Sequence, residues 1–262
     1  MKKVLLLIYV TCTVIFLNAQ DVLHIMSLNM DAGRENTMDS IALFINKYNP
    51  DIVALQEVDM FSARSEERHA NSNFLAELGS QTTMFSAFGK VMPINPYGSY
   101  GNAVLSKQPF LKTENVLLPM LDKTEQRGMM VTHLTFNNHR ICFASVHLSY
   151  ENEEIVETQL KYIKRYMDSL DDDCLIICGD YNLNHPNKVL AIMDEWQDAL
   201  PKNENTFSSG KSFYRRMKLD YMLYKSILPI KVITKQIECN PSITDHCACY
   251  IELEIPSITI PQ

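Results

Sequence analysis

Val22-Leu23-His24-Ile25-Met26-Ser27-Leu28-Asn29, an amphipathic stretch around Ile41-Ala42-Leu43-Phe44-Ile45, and Ile52-Val53-Ala54-Leu55-Gln56-Glu57 together decide the fold. The first segment alternates and ends at Asn29, as a strand does. The second predicts a helix that stops at Asn49-Pro50, because the residue before a proline is pushed out of the helical region. The third is a short, continuous apolar run, the pattern of a strand buried on both faces, and it ends at Gln56-Glu57. That is β-α-β in about forty residues.

Outward from this unit the pattern mixes helices with hairpins. Asn71 to Leu78 reads as a helix stopped by Gly79. Ala103 to Ser106, Met129 to Phe136 and Ile141 to Val146 read as strands, with Asn137-Asn138 as a hairpin turn between the last two. Val156, Leu160, Ile163, Met167 and Leu170 fall on one face of a helix. Leu175 to Cys178 is a buried strand, Lys188 to Trp196 a helix, and Leu219 to Tyr224 and Cys247 to Leu253 strands. The segment Phe88 to Tyr100, with Gly89, Gly98 and two tyrosines, reads as a loop on a substrate rim. There is no repeat and no linker. Two packed mixed sheets with helices outside fit better than one parallel sheet.

At the N-terminus Lys2 and Lys3 precede a short apolar run ending near Asn18-Ala19-Gln20, the layout of a secretory signal peptide. A membrane anchor is the competing reading, but the run is shorter than the roughly 20 residues a span needs. The expectation is therefore cleavage after Ala19 or Gln20, a single catalytic domain over 21–262, and a secreted or periplasmic protein with no transmembrane anchor after processing. Removing residues 1–20 takes away two lysines and no acid, so the net charge moves from −7 to about −9. An acidic chain argues against a stable nucleic-acid partner, although a bound cation reverses the sign locally. With 46% hydrophobic and 21% charged residues, the chain buries an ordinary core.

Outside residues 1–20 the cysteines are Cys142, Cys174, Cys178, Cys239, Cys247 and Cys249. Cys174 and Cys178 lie roughly 13 Å apart along a strand, too far to bridge each other. Cys247 and Cys249 share a strand face. Buried free thiols are expected, with one bridge between strands left open. No Cys-x-x-Cys spacing points to zinc.

Polar residues recur where the apolar runs end. Glu57 closes the run from Ile52, and a carboxylate there suits magnesium, a hard cation that takes oxygen ligands. His147 follows Ile141 to Val146. Asp180 and Asn182 follow Leu175 to Gly179. Asp220 sits inside an otherwise apolar strand, so it must be paired or face a cleft. Asp245-His246 closes the series, and a histidine beside one acid with another to orient it is a general-base arrangement. Taken singly, each has a bland alternative: a solvated charge, a core histidine, a turn. Taken together they carry what metal-assisted phosphoester hydrolysis requires.

Asn29, Leu55-Gln56-Glu57-Val58-Asp59, Tyr100-Gly101-Asn102-Ala103-Val104-Leu105-Ser106, Val146-His147-Leu148-Ser149, Gly179-Asp180-Tyr181-Asn182, Leu219-Asp220-Tyr221 and Thr244-Asp245-His246 come in one order. In that order the chain resembles the endonuclease/exonuclease/phosphatase (DNase I-like) superfamily. The resemblance implies a four-layered α/β sandwich with two packed mixed β-sheets flanked by helices. It also implies a site for magnesium or manganese. Glu57 resembles the principal metal ligand, with Asn29 and Asp245 as metal or outer-shell groups. His246 resembles the base that activates water, oriented by Asp220. Asp180 and Asn182 resemble the pair that positions the nucleophile and the phosphoryl oxygen, and His147 a phosphate contact. Arg64, Arg127 and Asn102 match substrate-binding positions. Tyr181 and Thr244 stand where the family more often has Phe and Ser, and Val156 where bacterial relatives often have Arg; none of these removes a catalytic group. A monomeric phosphodiesterase, nuclease or phosphatase is expected, acting on a small molecule, lipid head group or nucleic acid. A non-catalytic phosphate-binding module with the same fold is the rival, and the intact base and ligand set speaks against it.

Overall fold

A computed structural model of the chain describes residues 22–34, 37–69, 71–94, 96–207 and 217–257. The expected signal peptide lies outside the described residues. None of the described helices is long and apolar enough to cross a membrane.

The opening unit forms as read. Strand β1 (Val22–Asn29) is followed by helix α1 (Met38–Tyr48) and strand β2 (Ile52–Met60). Thr37 caps α1 by accepting from the Ser40 amide at 3.3 Å, and Asn49 ends it in the left-handed conformation at φ 48°. A short helix α2 (Ala63–Glu66) and helix α3 (Phe74–Thr82) come next, then strands β3 (Phe85–Pro93), β4 (Ser99–Ser106), β5 (Lys112–Leu117), β6 (Gly128–Phe136) and β7 (His139–His147). Helix α4 (Glu153–Met167), strand β8 (Cys174–Asp180), helix α5 (Pro186–Ile192), the two-residue β9 (Gln197–Asp198), β10 (Asp220–Ser226), β11 (Lys231–Cys239) and β12 (Cys247–Glu254) follow among the described residues.

The strands form two six-stranded mixed sheets, in the orders β11-β12-β1-β2-β4-β3 and β5-β6-β7-β8-β10-β9. Alternate residues of each central strand enter different layers. Ile52 and Ala54 of β2 point between the sheets, against Phe143 and Ile176. Val53 and Leu55 point the other way, against Ile41, Ile45 and Phe74 of the covering helices. The second sheet does the same, with Ala144 and Ile177 under Val156, Leu160 and Ile163 of α4. Burial on both faces is why these strands read as continuous apolar runs. Helix–sheet–sheet–helix is the expected four-layered sandwich.

Several boundaries differ from the sequence reading. Helix α3 runs through Gly79 and ends at Thr83 in the left-handed conformation; it begins late because the Asn73 side chain accepts from the Ala76 amide. Helix α5 starts at Pro186 and ends at Ile192, since proline suits the first helical turn. The stretch read as a rim loop is instead largely paired: β3 and β4 form a hairpin whose tip lies between Pro93 and Ser99. Strands β5 and β11 are sheet edges whose exposed, lysine-bearing residues hide the strand signal. Asn137 and Asn138 take φ 52° and 66°, the left-handed pair that a tight hairpin between β6 and β7 requires.

The free-thiol expectation holds for Cys142, Cys174, Cys178 and Cys249, all buried. Cys239 and Cys247 form a disulfide, the one bridge between strands that the sequence reading left open. They are cross-strand partners in the β11–β12 ladder, a relation invisible while β11 goes unrecognised.

Candidate active site

Glu57 owes its position to an irregularity. The β2–β4 register shifts between Leu55 and Val58, and Glu57 takes φ 55°. One extra residue in the bulge lets Leu55 and Val58 both face the helix layer while Glu57 turns out at the strand-end cleft. The strand therefore continues past the point where the sequence reading ended it. Asn29, at the end of β1, holds this carboxylate. Its Nδ2 donates to Glu57 Oε1 at 3.1 Å and to Asp180 Oδ2 at 3.1 Å. Its Oδ1 accepts from the Asp31 amide, so Asn29 is a strut between the sheets with both amide ends occupied.

The second sheet brings its polar residues into one row. His147 pairs in register with Asp180, and Asp180 with Asp220, so β7, β8 and β10 present these side chains at one level. Gly179 makes the row possible: at φ 150° any Cβ would run into the Val146 backbone. His246 enters from the loop before β12. Its Nδ1 lies 3.0 Å from Asp220 Oδ2, and its Nε2 lies 3.4 Å from Asp180 Oδ2. Phe207 packs edge-on against the imidazole. Asn182 Nδ2 donates to the Leu148 carbonyl at 3.0 Å and lies 3.1 Å from His147 Nε2.

Proton positions follow from these surroundings. Burial pulls the His246 pKa down, but Asp220, Asp180 and Asp245 outweigh it and hold the ring's pKa at about 10. Burial, reinforced by Asp220 and Glu57, pushes the Asp180 carboxyl above the usual range, against the pull of His246 and the Asn182 amide. His147 goes the other way. Burial, then the Arg127 guanidinium and His246, keep it neutral well below the usual histidine pKa.

These groups line a cavity of about 520 Å³. Glu57, Asp31 and Asp245 form its acidic wall. Asp31 was not foreseen: it sits in a single 3-10 turn (Asp31–Gly33) just past β1, two residues after Asn29, and its proximity to Asn29 is the one signal available. Burial, the nearby Asp245 and Glu57 raise its pKa to about 6, with Arg34 and His246 opposing. Crowded oxygen donors of this kind fit a hard divalent cation, which would relieve their mutual repulsion.

Arg127 and Arg64 form the basic wall. Arg127 is 3% exposed, leans over the Tyr150 ring at 5.6 Å and puts Nη1 3.1 and 3.2 Å from the two nitrogens of His147. Its Nε is buried without a hydrogen-bond partner. Arg64 forms a two-pronged pair with the buried Asp59, at 2.6 Å on both prongs, and lies over the Tyr100 ring. Asn102, expected to bind substrate, does not line the cavity. Its Nδ2 donates to the Gly128 carbonyl at 2.6 Å and ties the first sheet to the second. The other expected site residues converge on this one cleft. Tyr150 and Phe207 on its walls had no motif to mark them; Tyr100 fell inside one, with no role assigned to it.

Fold and cleft define a class: a two-sheet α/β sandwich with an acid–histidine cluster where the strands of both sheets end. The chain belongs to the Endonuclease/Exonuclease/phosphatase family, whose sequence profile matches residues 26–246. It is 31% identical over 168 residues to YbhP of Escherichia coli K12, a match covering 58% of this chain and 63% of YbhP. The chain thus spans less than two thirds of that relative. Its fold is shared with an endonuclease/exonuclease/phosphatase family protein from Leptotrichia buccalis, at TM-score 0.72 and 16% identity over 89% of this chain and 100% of the other. The endonuclease/exonuclease/phosphatase from Beutenbergia cavernae superposes at TM-score 0.70 and 19% identity, over 89% of this chain and 72% of the other. TDP2 of D. rerio, solved with a single-strand DNA product, superposes at TM-score 0.69 and 16% identity, over 88% and 98%.

Proposed function

We propose that the chain is a divalent-metal-dependent phosphoester hydrolase that uses a histidine-activated water. The observation that carries the reading is the chain of contacts Asp220–His246–Asp180–Asn29–Glu57, which joins a candidate base to a candidate metal ligand across two sheets. Glu57, with Asp245 and Asp31 beside it, would hold magnesium or manganese, which when bound would supply charge neutralisation to the phosphoryl group.

The chain's own residues do the rest. Asp220 fixes His246 through Nδ1, leaving Nε2 to face Asp180 and the cavity. His246 takes the proton of the attacking water; with the carboxylates bare it is already protonated, so cation binding on the acidic wall and its readiness as a base go together. Asp180 and Asn182 orient the water and a phosphoryl oxygen. Neutral His147 contacts the phosphate, and Arg127 offers its unpartnered Nε to the anion. Arg64, tied to Asp59, serves the rim.

The substrate is a phosphoester of a small molecule, a lipid head group or a nucleic acid, handled without a stable nucleic-acid complex. The enzyme works as a monomer, exported to the periplasm or beyond after loss of residues 1–20. The test is a metal-dependent activity panel on the processed protein, spanning DNA, RNA, lipid phosphodiesters and sugar or inositol phosphates. Hydrolysis that requires magnesium or manganese and is lost in Glu57→Ala is expected. Cation binding with no hydrolysis of any substrate would refute the reading.

A further inference from the structure

We infer that the chain carries a second cation site, for a zinc-class ion, built from His133, Cys142 and Asp172 under the outer face of the second sheet. His133 of β6 and Cys142 of β7 are directly paired across the ladder, and Asp172 comes from the segment that leads into β8. One ligand atom from each lies within 4.8 Å of the others, and all three residues are buried. The site is separate from the cleft. His133 stands five residues along β6 from Gly128, the partner of His147, which is about 17 Å at the rise of an antiparallel strand.

The hydrogen bonding around His133 points to an ion. Its Nδ1 is 3.1 and 3.0 Å from the two oxygens of Asp172, a face-on approach to both. Its Nε2 is buried, has no hydrogen-bond partner and lies 4.0 Å from Glu114 Oε2. A neutral ring that donates from Nδ1 to Asp172 turns the Nε2 lone pair toward a second carboxylate, which leaves that nitrogen unsatisfied. A second ring proton or a cation at Nδ1 would resolve this, and only the cation also uses the buried Cys142 sulfur paired with His133 across the ladder. The ring proton then sits on Nε2 and is offered to Glu114, the arrangement in which an outer carboxylate orients a ligating histidine. Glu114 is itself fixed by an ion pair with Lys112 and by the Tyr166 hydroxyl at 3.0 Å.

The donor set selects the ion. A thiolate, an imidazole and a carboxylate suit zinc, whereas the all-oxygen wall of the cleft suits magnesium. Metal–ligand bonds of about 2.0–2.3 Å place ligand atoms roughly 3–4 Å apart, so the Nδ1–Asp172 spacing already fits and the sulfur must close in modestly. On binding, the Cys142 thiol gives its proton to solvent as the sulfur–metal bond forms, and the imidazole proton moves from Nδ1 to Nε2. Arg140 is the competing cation, with Nε 3.6 Å from Asp172, but its guanidinium is anchored to the exposed Asp171 at 3.0 Å and need not move away.

The test uses cobalt(II) as the probe on chelator-treated, full-chain protein. A near-ultraviolet thiolate-to-cobalt band that saturates at one equivalent and is abolished by zinc is expected. Cys142→Ser should remove the band, and Asp180→Asn in the cleft should keep it. Glu114→Gln should keep the band with affinity about 10–100-fold weaker. No thiolate band in the wild type, or an undiminished band in Cys142→Ser, overturns the inference. If melting curves show that Cys142→Ser does not fold, His133→Gln decides: cobalt affinity weaker by more than about 100-fold supports the site, and unchanged affinity overturns it.

Discussion

His246 is the residue on which the proposed chemistry turns, because it touches both Asp220 and Asp180 while nearly sealed from water. Replacing it by alanine removes the proposed general base, and kcat is expected to fall by about 10²–10⁴ with magnesium dependence retained. Measuring kcat against magnesium concentration, with a melting curve for each variant, checks this; a folded variant with near-normal kcat would disprove the assigned role. The same environment predicts a pH dependence. The folded-state pKa of His246 is raised from 6.5 to about 10, so its stabilising contribution is complete below about pH 6.5 and lost as pH rises toward 10. Chelator-treated protein should therefore lose melting temperature across that window more steeply than His246→Gln. Saturating magnesium should flatten the wild-type curve, since the cation replaces the proton as partner of the acids.

At the scale of elements, the site depends on backbone features that place side chains. Gly179 sits in β8 where a Cβ would meet the Val146 backbone, at φ 150°. Gly179→Ala is expected to cost about 1–3 kcal/mol or more and to displace Asp180, its neighbour. Urea unfolding with a parallel activity assay checks both effects; wild-type stability would contradict the close approach. The Cys239–Cys247 bridge closes the loop that carries Thr244, Asp245 and His246, and Thr244 Oγ1 donates to the Asn29 carbonyl at 2.8 Å at the loop's inner end. Its outer arm is the edge strand β11, so the bridge replaces neighbours that an edge lacks. Replacing both cysteines by serine should destabilise by about 2–4 kcal/mol, toward the lower value for so short a loop. Calorimetry on oxidised and reduced wild type beside the double variant reads this directly.

In the whole molecule, the first sheet contributes Asn29, Glu57 and the Asp245-His246 loop, and the second contributes His147, Asp180, Asn182 and Asp220. The relative placement of the sheets is thus part of the candidate site. Besides apolar packing, a buried polar link joins them: Gln56 Nε2 donates to Ser145 Oγ at 3.0 Å, and Ser145 Oγ donates to the Leu55 carbonyl at 2.8 Å. Ser145→Ala strands the Gln56 amide in a dry interior. It should cost about 1–3 kcal/mol in denaturant unfolding and lower kcat through the displaced Glu57 bulge; unchanged stability would show that the link is dispensable. Export is tested on the same scale. Mass spectrometry of protein from its native host should find a mature N-terminus near Gln20 or Asp21, and an intact Met1 on exported protein would contradict processing.

The sequence by itself determined the layers. Continuous apolar runs such as Ile52–Leu55 and Leu175–Cys178 require cover on both faces, the α4 stripe supplies one such cover, and the mixture of β-α-β units with hairpins favoured two mixed sheets over one parallel sheet. It also marked Glu57, Asp180, Asp220 and His246, because a charged or ionisable residue at the end of a core strand interrupts a strong pattern. Asp31, Tyr150 and Phe207 interrupt nothing and went unmarked. Only tertiary structure decided the rest. The bulge at Glu57 exists because β2 must match β4, the disulfide because β11 lies beside β12, and the diversion of Asn102 to Gly128 because the second sheet stands within hydrogen-bonding reach. Each depends on a partner distant in sequence, and a local pattern carries no information about which distant backbone comes to lie 3 Å away.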